Sequence, residues 1–190
     1  MREALGIDRP NWGTLWRSQR VGHHLDLARL RHAKVEPEIV YIAGSQIRGN
    51  DVSVADVVDN ASGWAIGIEV VHPRWASYAF TWLDNTADNS SAAAIAVGSA
   101  RQIDVGLSSV EVTFSDGDDT RTGRGDQAMG APAEAVAWLV RELASENRSV
   151  DAGQIVFTGG LTAPFDATGS SRFTATSSHL GSVELLTTPR

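Results

Sequence analysis

The chain has 190 residues, 42% hydrophobic and 21% charged, which is the composition of one globular domain long enough to bury a sizeable core. A formal net charge of -7 argues against a nucleic-acid partner, and the absence of cysteine excludes disulfides, thiolate metal sites and cysteine nucleophiles. No apolar run reaches the roughly 18 residues a membrane span needs, and Met1-Arg2-Glu3 opens no signal peptide, so the expected address is the cytoplasm, with no membrane contact.

The first 33 residues carry Trp12, Trp16, His23, His24 and His32 with poor periodicity, and read as loops with one short helix. Residues 35–43 form the first strand. Ser53-Val-Ala-Asp56 has the form of a capping box opening a helix, with Val54, Val57, Val58 and Ala61 on one side. Trp64 to Val71 reads as a second buried strand that Pro73 limits, and Asp84 to Ser91 as a polar loop against the core, where Asp, Asn and Ser serve turn chemistry. Ala92 to Val97 fits either a strand or a short helix. Val110 to Phe114, the turn SDGDD and a polar return strand form a predicted hairpin. Pro132 opens the clearest helix, with Val136, Leu139, Val140 and Leu143 at i, i+3, i+4, i+7. Ile155–Phe157, Arg172–Ala175 and Ser182–Leu186 complete the strands. Strands outnumber helices and the connections are too short for regular βαβ alternation, which predicts an α+β fold on a largely antiparallel or mixed sheet.

The chemistry concentrates in KVEPEIVYIAG, residues 34–44. Strand alternation puts Glu36, Glu38, Val40 and Ile42 on one face, so two carboxylates share a surface with apolar side chains. Glu69 is a third acid inside the apolar strand AIGIEVV. A buried acid persists by protonation, by pairing with a cation or by binding metal. Arg74 is close enough in sequence to pair with Glu69. If a metal is held, an all-oxygen set points to a hard cation, Mg²⁺ first, then Mn²⁺ or Ca²⁺. Phosphate-loop and dinucleotide glycine spacings are absent: Gly123-Arg-Gly125 and Thr158-Gly-Gly160 are turns, and no G-x-S-x-G occurs.

Six ordered blocks carry a resemblance: LGIDRPNWGTL (5–15), KVEPEIVYIAG (34–44), IEVVHPRW (68–75), DNTADNSSAAAIAVG (84–98), GRGDQAMGAPAEAVAWL (123–139) and DAGQIVFTGGLTAP (151–164). Together they resemble the 2-keto-4-pentenoate hydratase / 4-oxalocrotonate decarboxylase branch of the fumarylacetoacetate hydrolase superfamily. The resemblance implies an α+β fold with a mixed, mostly β rolled sheet and few helices. It implies Mg²⁺ or Mn²⁺ held by Glu36, Glu38 and Glu69, and a 2-oxo or 2-hydroxydienoic acid chelating the metal through its carboxylate and 2-oxygen. Asp8 and Ser91 match positions that approach the substrate and are carried over as proton-handling and substrate-orienting residues. The implied activity is hydration of 2-hydroxypenta-2,4-dienoate, with 4-oxalocrotonate decarboxylation as the alternative, in aromatic-compound catabolism. A homo-oligomer is implied, with a companion hydratase, decarboxylase or aldolase as partner. Relatives also carry a lysine, in a K-[IV]-G-L-T block, upstream of the position matching Met1. The chain is therefore expected to be a single domain, 1–190, truncated at its N-terminus relative to the family. That departure adds a third alternative, a weakly active or non-catalytic partner subunit.

Overall fold

In the computed structural model, residues 9–189 are described; Asp8 lies outside them. Ten strands and three α-helices appear among the described residues, with short 3-10 turns between them. The strands are β1 (His24–Asp26), β2 (Lys34–Ala43), β3 (Ala61–Val71), β4 (Ala92–Val97), β5 (Glu111–Ser115), β6 (Thr120–Arg124), β7 (Ile155–Phe157), β8 (Phe165–Asp166), β9 (Ser171–Ser177) and β10 (Gly181–Thr188). The helices are α1 (Val54–Asn60), α2 (Trp82–Ala87) and α3 (Pro132–Ser145).

The strands make two five-stranded sheets. In one, the order is β4-β3-β2-β7, and β8 pairs with the far end of the β2 edge that β7 occupies. In the other, the order is β1-β10-β9-β5-β6. All pairs are antiparallel except β1 with β10, so the mixed, mostly antiparallel expectation holds. The two longest strands, β2 and β3, form the centre of the first sheet. On one of its faces Val35 pairs with Val70, Ile39 with Ile66 and Tyr41 with Trp64. These six side chains are essentially buried and belong to a core that takes in Val112, Phe114, Phe173 and Leu185 of the second sheet. Each such aliphatic side chain contributes about 1.5–3 kcal/mol on burial. The Tyr41 and Trp64 rings meet edge-on at 5.3 Å, and the Tyr41 hydroxyl donates to Asn60 Oδ1 at 2.6 Å.

Local signals explain most elements. Pro132 sits in the first turn of α3, where a missing N–H costs nothing, and Val136, Val140 and Leu143 are buried, with Leu139 partly so. In α1 the capping box is present: Ser53 Oγ accepts from Asp56 N, and Asp56 Oδ2 accepts from Ser53 N. The expected apolar stripe of α1 is not. Only Val57 is buried; Val54 and Val58 are 39% and 47% exposed, and Ala61 already belongs to β3. Two segments also differ from the sequence reading. The polar stretch from Asp84 folds into α2, because Thr81 and Asp84 form a second reciprocal cap. The opening segment holds a 3-10 turn at Arg17–Gln19 and the short strand β1, which pairs in parallel with β10. Three residues are too few to show a period. Ala92–Val97 is a strand, paired to β3.

Candidate metal centre

The second face of β2 is acidic. Antiparallel register sets Glu36 directly opposite Glu69, and Glu38 opposite Gly67, one pleat along. Residues directly opposed in adjacent strands project to the same side, so all three carboxylates converge. One oxygen from each lies within 4.8 Å of the others, a spacing that a single cation can bridge. Glu36 and Glu38 are buried, 7% and 1% exposed, and Glu69 is half-buried.

No ion pair among the described residues neutralises them. Arg74, the expected partner of Glu69, instead pairs with Asp88, its Nη1 lying 3.3 Å from the carboxylate and 3.2 Å from the Asp88 carbonyl oxygen. The reason lies in the chain path: Arg74 follows the end of β3 and packs along the α2 segment, away from the acidic face. Lys34 lies on the same side of β2 as Glu36 but reaches Asp166, which opposes it on β8, at 2.6 Å. Its ammonium sits 5.3 Å above the Tyr78 ring.

Burial raises all three carboxyls, and charge within the group adds to the rise at Glu38 and Glu69. Burial pushes Glu36 up from 4.5 to about 7. Burial first, and then the charge of Glu36, push Glu69 up to about 8. Glu38 is raised well above the usual range by burial and by the charges of Glu69 and Glu36, while a hydrogen bond from Gly159 N–H opposes the rise. That bond is 2.6 Å long, to Oε2. Of the three fates open to a buried acid, pairing with a basic side chain is not realised among the described residues. The group either holds protons or holds a cation, and hard, closely spaced oxygen donors fit a divalent cation such as Mg²⁺ or Ca²⁺.

Ser91 lies in the 3-10 turn that leads into β4. It is buried, and its hydroxyl lies 3.0 Å from Asn85 Oδ1 and 3.1 Å from Asp88 Oδ2. Its carbonyl oxygen accepts from His72 N at 2.8 Å, tying the turn to the exit of β3 just beyond Glu69. Asn89, Ser90 and Ser91 all have left-handed backbones, with φ of 56°, 56° and 60°. Such a residue costs about 1–2 kcal/mol outside glycine. The Asn89 amide offsets part of this by accepting from Thr14 N at 2.7 Å and donating to Thr14 O at 2.9 Å. Asp8, the other residue expected to approach the substrate, lies outside the described residues.

Sequence reading missed what Thr158-Gly-Gly160 does. The segment follows β7 and runs along β2, with Thr158 Oγ1 donating to Ile39 O at 2.8 Å and Leu161 N to Pro37 O at 3.0 Å. Two adjacent glycines after a short strand signal a turn, but nothing local says that the turn lies against the acidic face. Only the pairing of β7 and β8 to the same edge of β2 puts it there.

Comparison with known proteins agrees with this architecture. The chain is 31% identical over 192 residues to 2-keto-4-pentenoate hydratase 2 of Dechloromonas aromatica, covering 98% of this chain and 73% of that protein. It is 28% identical over 162 residues to a 4-oxalocrotonate decarboxylase of a Pseudomonas species, covering 84% and 63%. Among solved structures, 4-oxalocrotonate decarboxylase from Pseudomonas putida G7, complexed with magnesium and adipate, superimposes with a TM-score of 0.91 at 26% identity, over 98% of this chain and 73% of that one. The same enzyme complexed with calcium and acetate gives 0.88. No family model matches the chain. Fold and site together define a metal-dependent lyase type of the fumarylacetoacetate hydrolase class. The chain belongs to the 2-keto-4-pentenoate hydratase / 4-oxalocrotonate decarboxylase family. Among the described residues no helix is long and apolar enough to cross a membrane.

Proposed function

We propose that this chain is a Mg²⁺-dependent hydro-lyase that adds water to 2-hydroxypenta-2,4-dienoate to give the 4-hydroxy-2-oxo acid. The observation that carries the reading is the buried triad Glu36, Glu38 and Glu69, with no basic partner among the described residues, in a chain 31% identical to a 2-keto-4-pentenoate hydratase. In this reading the three carboxylates hold the cation, and Mn²⁺ substitutes for it because it accepts the same hard oxygen donors. When bound, the cation supplies Lewis acidity to the 2-oxygen and carboxylate of a 2-oxo acid. The chain's own side chains do the rest. The apolar β2–β3 pair fixes the triad on a rigid support. Ser91, held by Asn85 and Asp88, orients the substrate, and Asp8 handles the proton that moves as the dienol becomes an unsaturated ketone open to water. A homo-oligomer in the cytoplasm completes the proposal.

The test is the absorbance of freshly generated 2-hydroxypenta-2,4-dienoate with the purified chain. Decay that requires Mg²⁺ and disappears in Glu36→Ala is the expected result. No decay with Mg²⁺ present, while the triad demonstrably binds the ion, refutes the hydratase assignment. The second reading, decarboxylation of 4-oxalocrotonate, is favoured by the TM-score of 0.91 to a solved decarboxylase. Release of carbon dioxide from that diacid distinguishes it.

A further inference from the structure

The Thr158–Gly160 turn reaches two of the three carboxylates from one side. It is tied to β2 on both flanks of Glu38: by the buried Thr158 hydroxyl to Ile39 O at 2.8 Å, and by Leu161 N to Pro37 O at 3.0 Å. Between those ties Gly159, with φ of +109°, directs its N–H onto Glu38 Oε2 at 2.6 Å. At Gly160 an added Cβ would stand 2.7 Å from Glu36 Cδ, so bare backbone is the surface on which the Glu36 carboxyl rests. Glu69 comes from β3 and has no hydrogen bond to the turn among the described residues.

We infer that this turn sets the cation preference of the site, favouring a small six-coordinate ion such as Mg²⁺ over Ca²⁺. The inference rests on the reading that the triad holds a divalent cation. Committing one lone pair of Glu38 Oε2 to a short backbone hydrogen bond weakens that oxygen as a metal donor and favours a monodentate role for the carboxylate. Packing Glu36 against Gly160 narrows the angle from which it can bind. Mg²⁺ needs near-octahedral geometry with short bonds and tolerates few protein ligands, filling the rest of its shell with water or substrate oxygens. Ca²⁺ takes six to eight oxygens at longer distance and commonly uses both oxygens of a carboxylate. A backbone that disfavours bidentate binding by one glutamate and fixes another thus opposes the larger ion. Gly159 and Thr158 are positioning residues: Gly159 acts on the metal through Glu38, and Thr158 by anchoring the turn that meets Glu38 and Glu36.

The experiment is titration calorimetry of the full chain with Mg²⁺ and, separately, Ca²⁺, at a pH alkaline enough to ionise the triad. Wild type is compared with Gly159→Ala and Thr158→Val. Alanine at φ of +109° is strained, so the turn must shift and release Glu38. The expected result is a loss of Mg²⁺ affinity of about tenfold or more, the usual effect of removing an outer partner of a metal ligand, with Ca²⁺ affinity falling by a smaller factor. Thr158→Val shifts the ratio the same way by less, and decides the matter if Gly159→Ala does not fold. Equal losses for both ions, or an unchanged ratio in both variants, overturn the inference while leaving the metal site intact. A wild-type chain that binds neither ion overturns the metal reading as well.

Discussion

The two faces of β2 share a backbone, a register and a depth in the protein, and differ only in what their side chains ask of their surroundings. On one face Val35, Ile39 and Tyr41 meet Val70, Ile66 and Trp64, and burial itself is the stabilising term. On the other face Glu36 and Glu38 meet Glu69 and Gly67, and burial opposes ionisation, raising all three carboxyls above their ordinary range. The apolar face holds the strand in place, and the acidic face exploits that rigidity. A cluster of like charges on a mobile loop would spread apart. On two paired strands fixed by a core it cannot, and the strain is relieved only by protons or by a cation.

This contrast can be broken from either side. The largest expected effect is from Ile39→Ala on the apolar face: truncating a fully buried isoleucine costs about 2–5 kcal/mol. Chemical denaturation measures the loss, and the fraction still folded should bind Mg²⁺ as wild type does. Glu38→Gln on the opposite face should do the reverse. Metal affinity falls by at least tenfold, since an inner ligand matters no less than the outer partners whose removal has that effect. At alkaline pH the metal-free protein melts at a higher temperature, because glutamine removes a carboxyl whose ionisation burial and the charges of Glu69 and Glu36 oppose.

A third expectation concerns pH. Glu36 and Glu69 bind protons more tightly in the folded chain, at about 7 and 8, than at their ordinary value of 4.5. The stability they lend is therefore fully present below 4.5 and is lost as the pH rises through about 7 and 8, because the unfolded chain binds fewer protons there. Melting curves of metal-free protein across that window should show the decline, and saturating Mg²⁺ should reduce it. Smallest of all is the Lys34–Asp166 pair. With Asp166 67% exposed, Asp166→Asn should change stability by no more than about 1 kcal/mol despite the 2.6 Å contact.

How much of this could be read from the residues alone depended on the range over which each signal acts. The alternation in KVEPEIVYI was enough to place Glu36 and Glu38 on one face, the lone acid in AIGIEVV added Glu69 to the set, and the family resemblance assigned the three to a metal. That Glu36 sits opposite Glu69 is a fact of register, and register between strands separated by a helix is written in no local pattern. The cap residue Ser53 and the first-turn Pro132 marked α1 and α3 because helix-start signals are local. The same chemistry at Thr81 and Asp84 was read as a loop, since α2 is only six residues and shows no apolar stripe. Arg74 was assigned to Glu69 by proximity in sequence, but the turn after β3 carries it to Asp88. The contact of Gly159 and Gly160 with the acid pair was invisible for the same reason as the register: it spans more than 120 positions of chain.

The central claim is that Glu36, Glu38 and Glu69 together hold one divalent cation. The most direct measurement is an anomalous-difference map from crystals soaked in Mn²⁺, which scatters where Mg²⁺ would sit. The account predicts a single strong peak within coordinating distance of an oxygen from each of the three glutamates, absent from Glu38→Gln crystals. A peak elsewhere, or three carboxyls hydrogen-bonded to one another with no peak between them, would contradict it.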